Sequence, residues 1–159
     1  MIEENSQLQT ISYKDPAGFI LKQQNGYYRY VTEAYKCEYD LLINSGLYDT
    51  LVKEHLLIPH EEVNGNKDYY KVLFPQQIAF ISYPFEWTFS QWQAMAIAYI
   101  KINEIALKYG MILKDANPYN FIFHEGHCSL LDTISFNFYN DGEPWNAYRR
   151  FCEIGRAFV

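Results

Sequence analysis

The chain has 159 residues, 49% of them hydrophobic and 20% charged, with a formal net charge of −6. That is enough for one domain with a real core, and the composition excludes a disordered chain. The acidic balance and the lack of a basic block argue against a nucleic-acid binder.

The first 15 residues read as weakly structured, and "MIEENSQLQT" is too acidic and polar for a signal peptide. "GFILKQQNGYYRYV" (Gly18–Val31) predicts a β-hairpin turning at Gln24-Asn25-Gly26, because Asn-Gly takes the left-handed backbone that a tight hairpin needs. "TEAYKCEYDLLINSG" predicts a helix, with Thr32 as its cap and Gly46 at its end. Leu47–Leu57 predicts a second, shorter helix stopped before Pro59. "DYYKVLFP" and "QIAFISYPF" predict two strands after a loop at Asn64-Gly65-Asn66.

Thr88–Gly110 holds the clearest helical pattern. Thr88 or Ser90 can cap it, Trp92, Met95, Ala96, Tyr99, Ile100 and Ile102 form a broad apolar stripe, and Gly110 ends it. "NFIFHEG" and "CSLLDT" predict a hairpin around Glu125-Gly126, and "EPWNAYRRFCEIGRAFV" a last helix starting near Pro144. The order is α+β, with a 16–84 section rich in strands and an 85–159 section rich in helix that meet near Pro84.

Three scattered cysteines, Cys37, Cys128 and Cys152, fit free thiols in a reducing cytosol. No apolar run reaches the roughly 18–20 residues of a membrane span, so the expectation is a cytoplasmic protein with no membrane or nucleic-acid partner. In "HEGHC" (His124–Cys128) two imidazoles and a thiol sit on a glycine turn. An exposed turn is the simpler reading than zinc, since no second ligand cluster accompanies it.

Chemistry is concentrated in "LKDANPYNFIFHEGHCSLLDT" (Leu113–Thr133). An antiparallel hairpin would put Asn120, at the start of one strand, beside Asp132, at the end of its partner. One carboxylate plus one amide suits a hard, oxygen-seeking cation with room left for phosphate, and Asp115 would stand above as a base. The alternative is that Asp115, Asn117 and Asn120 are ordinary turn residues.

With Asp115, Pro118 and Asn120 in the order D-x-x-P-x-N, followed after a hairpin by Asp132, the sequence resembles the protein-kinase-like fold in its small-molecule, aminoglycoside-phosphotransferase-like branch. The resemblance implies a small β-rich N-lobe and a partial helical C-lobe. It makes Asp115 the catalytic residue and Asn120 and Asp132 the metal ligands of Mg-ATP. It also places Arg29 where a phosphate-pairing lysine is expected, Glu38 as its helix partner, and Glu86, within "YPFEW", at a cofactor-binding hinge. Against the pattern, Leu113-Lys114 precede Asp115, Thr133-Ile134 follow Asp132, and no glycine-rich loop precedes the hairpin. These departures imply a nucleotide-binding module that is not catalytic by itself.

A further resemblance rests on "FISYPFEWTFSQWQ", "ALKYGMILKDANPYNFIF", "LLDTISF" and "PWNAYRRFC". Together these phrases resemble the N-terminal, kinase-like region of bacterial class I SAM-dependent methyltransferase family proteins. That implies a module serving a methyltransferase domain, with SAM as cofactor only where that further domain is present, since the 27 residues after Asp132 hold no glycine-rich SAM loop. The competing functions are an active small-molecule phosphotransferase and a non-catalytic protein-interaction module, self-association included.

Overall fold

The computed structural model describes residues 15–64 and 68–156. Residues 1–14, on which most of the weakly structured N-terminal segment falls, and Gly65-Asn66 of the expected loop lie outside the described residues. The described residues form two compact units, one of those up to Cys37 with those between Pro59 and Gln77, the other of Glu38–Ile58 with those from Ile78 on.

The first unit is a four-stranded antiparallel sheet in the order β1-β2-β4-β3, from β1 (Gly18–Gln23), β2 (Gly26–Val31), β3 (His60–Val63) and β4 (Lys71–Pro75). The β1–β2 hairpin turns within Gln24-Asn25-Gly26 as expected, but its two turn residues are Gln24 and Asn25; Gln23 pairs with Gly26, which opens β2 at φ +137°. A side chain there would meet the Gln77 amide, whose oxygen accepts the Tyr27 N–H at 3.0 Å. Val31 and Leu73 are fully buried, while Phe19, Tyr30 and Tyr69 pack as a ring cluster with centroids 5.0 to 5.3 Å apart. Thr32 does not cap the following turn. Its hydroxyl instead donates to the Pro16 carbonyl at 2.6 Å.

The second unit centres on α3 (Phe89–Lys108), around which α1 (Lys36–Asn44), α2 (Leu47–Lys53) and α4 (Tyr148–Arg156) contribute to the core. Gly46, at φ +84°, separates α1 from α2. α2 ends earlier than expected because His55 takes a left-handed φ of +55°, a region histidine enters more readily than most residues. The His55 N–H reaches the Val52 carbonyl at 3.0 Å and the Leu56 N–H the Leu51 carbonyl at 2.9 Å, which closes the helix as a Schellman motif.

Thr88 starts α3 with a reciprocal box. The Gln91 side chain accepts the Thr88 N–H at 2.9 Å, and the Thr88 hydroxyl accepts the Gln91 N–H at 3.4 Å. Thr88→Ala is expected to cost about 1 kcal/mol, and Thr88→Ser little, as read by urea unfolding.

Two short antiparallel pairs complete this unit. β5 (Met111–Leu113) pairs with β8 (Phe136–Phe138), and β6 (Phe121–His124) with β7 (His127–Leu130). The β6–β7 hairpin turns at Glu125-Gly126, as expected. Leu56–Ile58 runs beside β7, with the Ile58 N–H on the Leu130 carbonyl at 2.9 Å and the Leu130 N–H on the Leu56 carbonyl at 2.8 Å.

Two elements differ from expectation. Gln77–Phe85 is not a strand; it is a loop closing in a 3₁₀ turn at Pro84–Glu86, while β3, unforeseen, takes the edge position next to β4. The last helix begins at Tyr148, four residues beyond Pro144, because Trp145 is drawn inward to donate its indole N–H to the Leu113 carbonyl at 2.9 Å. No helix among the described residues is long and apolar enough to cross a membrane.

Candidate functional site

The turn carrying Asp115 leaves β5 and enters β6 through a 3₁₀ turn at Pro118–Asn120. Asn117 caps that turn, its side-chain oxygen accepting the Tyr119 N–H at 3.2 Å. Pro118 stands at the first position of the turn, where its missing N–H costs nothing. Past β7 the chain turns again at Asp132, whose carboxylate accepts the Ile134 N–H at 3.2 Å and whose carbonyl accepts the Ser135 N–H at 3.2 Å.

Two backbone hydrogen bonds bring these turns together. The Leu131 N–H donates to the Asn120 carbonyl at 2.7 Å, so Asn120 lies across from the residue before Asp132. The Lys114 N–H donates to the Ser135 carbonyl at 2.9 Å, so the residue before Asp115 lies across from the far side of the same turn. Asp115, Asn120 and Asp132, spread over 18 positions of sequence, are thus carried by backbone segments fastened edge to edge. All three are half-buried.

Asp115 is held twice. Its carbonyl accepts the Tyr99 hydroxyl at 2.9 Å, and its carboxylate receives Arg150 from α4 at 2.9 Å. Burial, with Asp115 nearby, raises the Tyr99 phenol far above its usual range, so it remains a neutral donor. Arg150 lies on the last helix, α4. Its placement on Asp115 joins residues 35 apart, which no local pattern announces. Beside this pair opens a cavity of about 420 Å³ lined by Trp92, Asn117, Tyr119, Arg150 and Glu153.

The remaining candidates lie on three different elements. Arg29 is buried on β2, in register with Ile20 and Leu73, within the first unit. Glu38, in the second unit, lines a cavity of about 220 Å³ with Lys114, Asn137, Glu143 and Trp145. Glu86 is exposed, and its carboxylate accepts the Tyr83 N–H at 2.7 Å, which ties the 3₁₀ turn.

In the histidine-bearing hairpin, His127 stacks on His55 with centroids 4.3 Å apart, and burial pushes the Cys128 thiol up to about 12. That thiol stays protonated and is a poor nucleophile. Among the described residues, no three His, Cys, Asp or Glu side chains gather as a metal-binding group. A cation at the hairpin end would therefore need the Asn120 amide and ligand oxygens as well as carboxylate, a donor set suited to Mg²⁺ carried by phosphate.

No family model matches the chain. Nodulation protein NoeA of Rhizobium meliloti (strain 1021) is 28% identical over 150 residues, covering 89% of this chain and 31% of that protein. Among solved structures, vaccinia related kinase 3 superposes with a TM-score of 0.51 at 8% identity, over 83% of this chain and 48% of that one. The PknI kinase domain of M. tuberculosis gives a TM-score of 0.43 at 10% identity, over 74% and 53%, too low to argue from. The chain thus spans about a third of its curated relative and about half of the kinase, and its fold is kinase-like.

Proposed function

We propose that this chain is a kinase-like module that binds a magnesium nucleotide without transferring phosphate on its own. The observation that carries the reading is the double backbone fastening, Asn120 to Leu131 and Lys114 to Ser135, which sets the Asp115 turn against the Asp132 turn in a kinase-like fold. Asn120 and Asp132 would hold Mg²⁺, which when bound neutralises phosphate charge. Glu38 and Glu86, in the same unit as Asn120 and Asp132, are the proposed nucleotide contacts. The Arg150 guanidinium on the Asp115 carboxylate supports a site that binds without catalysing, because an oxygen engaged by Arg150 is not free to meet a substrate hydroxyl.

The test is thermal or urea unfolding with Mg-ATP. Near 100 times Kd, binding adds about 2.7 kcal/mol of stability. Asp132→Ala is expected to remove that gain. No gain in the wild type, or the same gain in the variant, overturns the reading.

The cavity of about 420 Å³ beside Asp115 favours a second reading, an active small-molecule phosphotransferase. It requires ADP release that disappears in Asp115→Ala. The resemblance to methyltransferase-family proteins, together with the greater length of NoeA, supports a module that serves a separate methylating domain in the cytoplasm. SAM would then bind that domain.

A further inference from the structure

α3 is apolar on two opposite sides. Its inner side, Met95, Ala98, Tyr99, Ile102 and Ala106, is buried in the core. Its outer side carries Phe89, Ile97, Ile100 and Leu107, exposed by 64%, 62%, 46% and 40%. Gln93, Ile97, Ile100, Glu104 and Leu107 follow one another at alternating steps of four and three, the spacing of a helix-to-helix seam. A helix at a protein surface ordinarily has one apolar stripe, and one that is apolar on both sides is covered on both. The loop leading into α3 adds exposed Phe80 and Phe85, the latter stacked on Tyr83 with centroids 5.6 Å apart. The cations bordering the seam are already satisfied, Lys101 by Glu54 and Lys108 by Glu104, each at 3.0 Å. What the seam asks of a partner is therefore apolar contact rather than charge.

The size of the seam selects the occupant. These side chains expose roughly a few hundred Å². A stable free dimer buries about 800 Å² on each partner. A seam this small holds a partner that is kept nearby by the same polypeptide, where effective concentration replaces area. NoeA offers such a partner, since about two thirds of it lies outside the segment matched here.

We propose that the outer face of α3 docks an apolar helix belonging to the part of a NoeA-like polypeptide outside the matched segment. The incoming helix would carry Leu, Ile or Val at the same four-three spacing and pack nearly parallel or antiparallel to α3. This assignment is independent of nucleotide binding.

The experiment puts this chain in place of the matched segment of Rhizobium meliloti NoeA, so that both parts share one polypeptide, and compares hydrogen exchange along α3 with that of the lone chain. Exchange in α3 is expected to slow at least tenfold in the joined polypeptide, and Ile97→Glu/Ile100→Glu should remove that protection. The lone double variant should melt as cooperatively as the wild type, and Ile97→Ser/Ile100→Ser serves if it does not. Equal exchange in the joined polypeptide and the lone chain overturns the proposal, as does protection indifferent to both variants. A dimer of the lone chain that the same substitutions dissolve overturns it in favour of a second copy.

Discussion

Tyr99→Ala is expected to lower stability by about 3–5 kcal/mol, as for other large aromatic truncations in a packed core. Tyr99 is fully buried at the middle of α3, its ring 5.8 Å from Phe121, 5.4 Å from Trp145 and 5.5 Å from Phe151. Those neighbours come from β6, from the segment before α4, and from α4 itself. Removing the ring leaves a hole between three elements that cannot all move in. Tyr99→Phe is the informative partner. It keeps the packing and deletes only the hydroxyl that donates to the Asp115 carbonyl, so its cost should be about 1–3 kcal/mol. Urea unfolding of both variants separates packing from the hydrogen bond. If Tyr99→Phe costs nothing, the hydroxyl does not hold the Asp115 turn. If the phenylalanine variant also loses its response to Mg-ATP while staying folded, the hydroxyl positions the site.

The second large effect is a loss of stability in mild acid, traced to His60. This residue sits on β3 opposite Pro75 and beside a cavity of about 320 Å³ lined with Phe74, Pro75 and Gln76. Burial lowers its pKa from 6.5 to about 4, against the opposing pull of Glu62. The unfolded chain therefore takes up this proton first as pH falls. The stabilising contribution is fully present above pH 6.5 and drains away between there and about pH 4, by at most about 3 kcal/mol. His60→Gln, which cannot titrate, should flatten that part of the profile. The measurement is urea unfolding of both proteins at pH 7 and pH 4.5. The same decline in both would assign the acid sensitivity to the carboxylates instead.

How much of this was legible in the sequence depended on how local the cause was. The Gln24-Asn25-Gly26 stretch announces its hairpin from three residues, and Thr88 with Gln91 announces the start of α3 from four. The kinase-like order of elements could be read for the same reason, as could the clustering of Asp115, Asn120 and Asp132 along one short stretch. β5 and β8 could not. Each is three residues long, too short to show a period, and each exists because Met111–Leu113 finds Phe136–Phe138 beyond the intervening β6–β7 hairpin. The run from Gln77 to Phe85 misled in the opposite way. Its β-prone aromatics suggest a strand, yet Phe80, Tyr83 and Phe85 are exposed and Pro84 opens a 3₁₀ turn. The pairing of Arg150 with Asp115 is tertiary and left no trace in spacing.

The sheet of the first unit has a consequence for the order in which the protein can be made. Arg29 on β2 pairs with Ile20 on β1 within the first hairpin, but it finds its other sheet neighbour only at Leu73 on β4, and α1 and α2 are translated in between and belong elsewhere. On the ribosome, the first hairpin must wait with one edge unpaired while both helices emerge. At elongation rates of about 5–20 residues per second that wait lasts seconds, long enough for a waiting edge to recruit the wrong strand. A chaperone requirement during synthesis, absent on refolding of the finished chain, is the behaviour this topology calls for.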